Sequence, residues 1–159
     1  MSRATNTLRK ASLGDPQYGS IRVTKLINRV MKDGKKSVAR AQVYAAMQIL
    51  AEETKQDPLL VLEDAIRAVT PAMEVRSRRV GGAAYQVPMP VRGTRGFSLA
   101  VRWIVEEARK RPSSTYHSFG EKLAAEMLDA LKGEGGSIAK KASVHRMADA
   151  NKAFAHFRW

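Results

Sequence analysis

The sequence predicts a mainly α-helical protein, a single domain of about six helices with one protruding β-hairpin at about residues 72–90. Most segments repeat their apolar residues every three or four positions, which is the spacing of a buried helix face. One segment alternates instead around a Gly-Gly pair, as a hairpin does. The length of 159 residues suits one domain. We expect a basic N-terminal arm at 1–14, a helical body at 15–150 that carries the hairpin, and a C-terminal tail at 151–159.

The first helix is predicted over 20–32, with two faces of opposite character. Its apolar residues share one face, and they are Val23, Leu26, Ile27 and Val30. The opposite face is a stripe of cations, which are Arg22, Lys25, Arg29 and Lys32. Asp33-Gly34 follows and predicts the end of this helix, because glycine adopts positive φ readily.

The next two helices are predicted over 36–54 and from Pro58 to about Val69. The second helix is rich in alanine, and its expected buried residues are Val38, Val43, Met47 and Leu50. Asp57 can cap the third helix, and Pro58 suits its first turn because a proline there loses no hydrogen bond.

The hairpin is predicted from the run MEVRSRRV-GG-AAYQVPMP. A turn at Gly81-Gly82 gives a register in which Arg78 faces Tyr85. Neither face is apolar near the tip, and an isolated two-stranded ribbon is only marginally stable in water. We therefore expect a cationic arm that is rooted in the domain and whose outer end is completed by another molecule.

Three further helices follow the hairpin. The fourth runs from Arg92 to about Lys110, the fifth begins at about Ser118, and the sixth runs from about Ser137 to Ala150. The apolar residues of the fourth and fifth helices are Leu99, Val101, Trp103, Ile104, Val105, Ala108, Phe119, Leu123, Met127 and Leu131. Three arginines of the fourth helix lie seven positions apart and share one face, namely Arg95, Arg102 and Arg109.

The charge balance points to an anionic partner. The chain has 28 Lys and Arg against 15 Asp and Glu, a formal net charge of +13. The cations gather in four stretches, at 1–14, 22–40, 75–105 and 135–159, while most acids lie between them. Such segregation favours nucleic acid as the partner. Tyr85 could stack on an unpaired base or pack within the hairpin, and the aromatic residues near the C-terminus offer similar stacking surfaces.

Catalytic and membrane functions find little support. There is no cysteine, no metal-ligand spacing among the three histidines, no phosphate-binding glycine loop and no long apolar run. We predict no enzyme activity, no cofactor, no metal and no membrane partner. Two alternatives stay open, a metal-free ribonuclease that uses His145, His156 and Lys152, and a free nucleoid-type DNA-binding protein.

Three long motifs carry a resemblance to a known family. They are GDPQYGSIRVTKLINRVMKDGKKS (14–37), EVRSRRVGGAAYQVP (74–88) and MADANKAFAHFRW (147–159). Collinear over 14–159, the chain resembles the bacterial and organellar family of small-subunit ribosomal protein number seven. The resemblance implies a structural, cytoplasmic component of the ribosome. It further implies a primary binder of the 3′ major domain of small-subunit rRNA that nucleates assembly of the subunit head.

The resemblance also implies partners and site residues. The implied partners are small-subunit rRNA, exit-site tRNA, mRNA, and small-subunit proteins number nine and eleven, with no homo-oligomer. With the basic runs, it gives the following expected rRNA contacts: Arg3, Arg9, Lys10, Arg22, Lys25, Arg29, Lys32, Lys35, Lys36, Arg76, Arg78, Arg79, Arg92, Arg95, Arg102 and Arg109. The residues expected near the exit-site tRNA and mRNA are Arg78, Arg79, Gly81, Gly82, Tyr85, Lys152, His156, Arg158 and Trp159.

Overall fold

The computed structural model describes residues 13–157 and confirms the predicted fold class. Over this range it contains six α-helices, one antiparallel hairpin and a terminal 3₁₀ helix. Their bounds are α1 Ile21–Val30, α2 Lys36–Thr54, α3 Pro58–Val69, β1 Met73–Val80, β2 Ala83–Pro90, α4 Gly93–Lys110, α5 Phe119–Lys132, α6 Gly136–Ala150 and the 3₁₀ helix Lys152–Phe157. Five of the predicted site residues, Arg3, Arg9, Lys10, Arg158 and Trp159, lie outside the described residues.

Local polar caps begin several of these helices. The Asp57 carboxylate accepts the N–H of Leu59 at 2.9 Å, as predicted for the start of α3. At α5 the Ser118 hydroxyl accepts the N–H of Glu121, and the Glu121 carboxylate accepts the Ser118 hydroxyl in return. The pair has the Ser-x-x-Glu spacing of a capping box, but the carboxylate accepts the backbone N–H of His117 rather than that of Ser118. The hydrogen bond that Ser118 donates lowers the pKa of Glu121. Short-range hydrogen bonds therefore fix these helix starts.

The end of α1 corrects one prediction. The helix stops at Val30, and Asp33 and Gly34 both have positive φ, of 50° and 72°. Lys32 consequently lies in the connection to α2 rather than on the helical stripe. The remaining cations of the stripe, Arg22, Lys25 and Arg29, are exposed on α1 as expected.

The core lies between the apolar faces of the first five helices, α1 to α5. All four apolar residues predicted for α1 are buried, and so is the whole predicted set of α4, including Trp103. Val38 is an exception, because it is 57% exposed. The buried face of α2 runs through Ala39 and Val43, and Val38 is turned about 100° away from it. Leu131 is 38% exposed for the same reason, since Ala130 takes the buried position.

The hairpin has the predicted register. Val80 pairs with Ala83, and Arg78 pairs with Tyr85, around a turn whose two glycines have positive φ. Towards its base the ribbon packs against the body, and Val87 is fully buried. The Ala72 N–H, just before β1, donates to Nε2 of His145 on α6 at 3.1 Å. The base of the hairpin is thus joined to the last helix.

A buried ion-pair cluster joins the end of α4 to α5 and α6. The Arg111 guanidinium, 15% exposed, donates to the Glu126 carboxylate at 2.7 Å and also to Asp129. Glu126 is 2% exposed and accepts both the N–H and the hydroxyl of Ser137, at 2.9 and 2.8 Å. Partial burial opposes the charged form of Arg111, but the hydrogen bonds that it donates to Asp129 and Glu126 outweigh this effect and raise the pKa of Arg111. Every charge in the cluster is therefore satisfied within the chain.

Replacing Arg111 with Met should lower the free energy of unfolding by about 3 kcal/mol, because it leaves the buried Glu126 carboxylate without its cation. Urea denaturation followed by circular dichroism measures this. Arg67→Met is the matched control, since the Arg67–Asp64 pair is exposed and should contribute less than about 1 kcal/mol. Equal losses in the two variants would contradict the account of the buried cluster.

Candidate nucleic-acid interface

A cationic groove runs between α1 and α4. Its volume is about 400 Å³, and its lining residues are Lys25, Asn28, Arg29, Phe97, Ser98, Val101 and Arg102. The Lys25 ammonium lies 5.3 Å from the centre of the Phe97 ring, within cation–π range. The groove therefore offers positive charge beside a partly exposed aromatic ring, the combination that binds phosphates and unpaired bases.

One carboxylate on α4 orders the rim of this groove. Glu106 lies 3.5 Å from Arg29 and 2.8 Å from Lys140 of α6. The Lys140 hydrogen bond, together with the charges of Arg29 and Arg102, outweighs partial burial and lowers the pKa of Glu106. Arg29 is thereby held across the groove while about 44% of its side chain stays exposed.

The connection between α1 and α2, together with the first residue of α2, carries three lysines. Lys32, Lys35 and Lys36 are exposed, and none has an ion-pair partner within residues 13–157. Nearby, Arg109 donates to the Val30 carbonyl at 3.0 Å and so closes the end of α1. Arg109, which was predicted to contact RNA from α4, therefore also holds the end of α1 in place.

The arginines at the hairpin base share one acid. The Glu74 carboxylate accepts Nε of Arg76 and Nε of Arg95, each at 2.6 Å. Glu74 is 8% exposed in its side chain, while the two arginines are about half exposed. Arg22 is paired too, with Glu63 of α3 at 2.7 Å. Several predicted contact residues therefore have intramolecular partners that orient them.

The outer part of the hairpin is covered on one side by the chain itself. The Tyr85 ring centre lies 5.3 Å from that of Phe154 and 5.1 Å from that of Phe157. The expectation that another molecule completes the outer end is wrong for this face, because the 3₁₀ helix packs there. Tyr85 is half-buried against the C-terminal 3₁₀ helix, a packing partner outside the hairpin that neither interpretation from sequence had named. Lys152 and His156 are exposed beside this aromatic cluster.

The other face of the arm remains cationic. Arg79 on β1 and Arg92 before α4 are exposed, and neither has an ion-pair partner in the part of the chain that the structure describes. Arg78, half-buried, lies opposite Tyr85 in the register. The aromatic cluster thus fixes one face of the ribbon while the opposite face presents Arg79.

The histidines make local contacts. His145 accepts the Ala72 N–H through Nε2, and His156 Nδ1 lies 2.9 Å from the Ala153 carbonyl. Across residues 13–157 no group of three or more His, Asp or Glu side chains is placed to hold a metal ion. None of the helices described has the length and apolarity to cross a bilayer.

Sequence reasoning missed three residues of this surface. Glu74 stands one position outside the acid-free run 75–105, and its i, i+2 spacing to Arg76 was the available signal. Phe97 lies one helical turn before Val101 and shares the groove with it. Arg40 lies one turn after Lys36, and its buried Nε has no hydrogen-bond partner among the described residues.

A helical body with a projecting arm and several basic surfaces is typical of proteins that bind nucleic acid. The profile of the family described as ribosomal protein S7p/S5e matches residues 2–152. Small ribosomal subunit protein uS7 of Dictyoglomus thermophilum is 60% identical over 145 residues, 91% of each chain. The uS7 protein of Caldanaerobacter subterraneus subsp. tengcongensis is 55% identical over 159 residues, all of both chains. The chain belongs to the ribosomal protein S7p/S5e family.

Family membership confirms the expected broad function. The protein is a non-enzymatic, RNA-binding structural component of the small ribosomal subunit and acts in translation within the cytoplasmic ribosome. The ribonuclease and nucleoid alternatives are thereby set aside.

Replacing Tyr85 with Ala should free the C-terminal 3₁₀ helix, because two aromatic contacts are lost. Aromatic pairs contribute about 1 kcal/mol each, so hydrogen exchange at the Phe154 amide should quicken roughly tenfold or more. Gln86→Ala, a neighbouring exposed position, is the control and should leave that rate unchanged. An unchanged rate in Tyr85→Ala would show that the aromatic cluster does not hold the segment.

Proposed function

We propose that the protein is a primary binder of the 3′ major domain of small-subunit rRNA and nucleates assembly of the subunit head. The observation that carries this proposal is the surface formed by the α1–α4 groove and the α1–α2 connection. Its lysines at 32, 35 and 36 lack acidic partners within residues 13–157. A polyanion supplies the missing negative charge and releases counterions when it binds.

The surface suits a folded RNA better than an extended strand. Its cations lie on α1, on the following connection and on α4, so they face more than one direction around the helical body. RNA duplexes are recognised mainly through shape and backbone, which asks for phosphate contacts at fixed separations. A body that is folded before binding can bring separate RNA helices together, and that action would nucleate assembly.

Lys35→Gln combined with Lys36→Gln should weaken binding to the isolated 3′ major domain RNA on the order of fifty-fold at 0.1 M salt, because two phosphate contacts are lost. A filter-binding titration over a salt series measures it. With about eight contacts in all, the native slope of log K against log salt should be about −7, and the variant's slope shallower by roughly 2.

The matched control removes two lysines elsewhere, Lys55→Gln with Lys132→Gln. These exposed residues lie at the ends of α2 and α5, away from the groove lining. The control has the same net charge as the test variant and should keep nearly native affinity. Equal weakening by both pairs would mean that net charge, not this surface, determines binding.

The hairpin and the C-terminal segment are proposed to lie near exit-site tRNA and mRNA, beside proteins number nine and eleven. Arg79 near the Gly81-Gly82 turn offers an exposed cation at the end of the arm. The aromatic cluster around Tyr85 keeps the exposed Lys152 and His156 next to the same arm. Arg158 and Trp159 stay predictions for this region.

Arg79→Ala should reduce exit-site tRNA occupancy about fivefold at moderate salt, because one phosphate contact is removed. Its affinity for the isolated 3′ major domain should change less than twofold. Tight-coupled ribosomes carrying each variant, assayed with labelled deacylated tRNA, give the occupancy. Ser77→Ala, on the same strand face, serves as control. Native occupancy in Arg79→Ala would remove this residue from the exit-site proposal.

A further inference from the structure

The Glu74 contact has a geometry that suits a phosphate. Glu74 binds both Arg76, two residues along β1, and Arg95, in the first turns of α4. Each arginine donates its Nε hydrogen to the carboxylate, at 2.6 Å for the shortest contact of each. Among residues 13–157 their Nη groups donate no hydrogen bond, and the two side chains are 47% and 49% exposed.

Burial decides which charge an incoming anion meets. The Glu74 side chain is 8% exposed and lies behind the two guanidinium groups. A phosphate that approaches from solvent therefore meets two guanidinium edges and not the carboxylate. An arginine binds phosphate through paired N–H groups, and two arginines side by side can hold one phosphate from two directions.

The carboxylate also makes this pairing possible. Two guanidinium groups repel each other, and each side chain is long and flexible. A shared buried carboxylate offsets the repulsion and fixes both rotamers before any ligand arrives. Preorganisation of this kind strengthens binding because less side-chain freedom is lost on association.

We propose that Glu74 is a positioning residue that holds Arg76 and Arg95 as a phosphate clamp for one phosphodiester of the bound RNA. The inference rests on the proposed RNA-binding function and adds a site to it. Removing this acid makes the protein more positive, which by charge alone would strengthen its binding to RNA. The clamp predicts the opposite, that binding becomes weaker.

The test compares Glu74→Gln with native protein, using the full chain and the isolated 3′ major domain RNA. Glu74→Gln should bind about tenfold more weakly, with a salt slope shallower by about 1, because one phosphate contact becomes disordered. Asp64→Asn is the matched control, since Asp64 also pairs with one arginine, Arg67, at 2.8 Å, but at an exposed site outside the predicted contacts. It should bind as tightly as native protein or more tightly.

A second variant separates geometry from charge and from folding. Glu74→Asp keeps the negative charge, but its shorter side chain cannot reach both arginines, so it should also bind more weakly than native protein. Arg95→Gln should weaken native binding about tenfold, and weaken Glu74→Gln binding much less. Thermal melting of each variant identifies any loss of fold. If Glu74→Gln does not fold, the RNA affinity of Glu74→Asp is the deciding measurement.

The contradicting result is distinct from failure of the proposed function. If Glu74→Gln and Glu74→Asp bind as tightly as native protein or more tightly, while native binding remains strong and salt-dependent, the clamp is wrong and RNA binding stands. If native protein itself shows no salt-dependent binding to this RNA, the proposed function fails and the clamp fails with it.

Discussion

The constraint on which the structure depends is the repulsion among 28 cations carried with only 15 acids. Such an excess destabilises a compact state unless the charges are spaced, paired or met by a partner. In the folded protein, buried or partly buried carboxylates form ion pairs with some of these cations. Glu126 holds Arg111 in the interior, Glu106 holds Arg29 beside the groove, and Glu74 holds two arginines at the hairpin base. The acids thus fix the geometry of a basic surface, and the unpaired lysines around it need RNA.

The hairpin is likewise held by contacts within the chain, while one of its cations is left exposed for a partner. A two-stranded ribbon is marginal alone, and this one is held at its base by Glu74 and His145 and along one face by the rings around Tyr85. Those contacts give the arm a fixed direction from the body. They leave Arg79 on the open face, so the direction of the arm determines where that cation can meet an anion.

Much of this architecture could be predicted because it depends on neighbours in sequence. The helix starts follow from caps such as Asp57, and the hairpin register follows from the Gly81-Gly82 turn, both of which act over a few residues. The tertiary pairings could not be predicted. Glu74 meets Arg95 across 21 positions, and Tyr85 meets Phe154 only because the chain returns after α6. The prediction that Val38 is buried was wrong because a shift of one residue along a helix separates a buried side chain, Ala39, from an exposed one.

RNA should cover the unpaired lysines around the α1–α2 connection. Lysine acetylation footprinting, in assembled small subunits and in the free protein, measures this directly. We expect Lys32, Lys35 and Lys36 to react readily in the free protein and to become protected in the subunit, while Lys55 and Lys132 keep nearly the same reactivity in both. Continued reactivity at the three lysines of the α1–α2 connection, with protection at Lys55 and Lys132 instead, would contradict it.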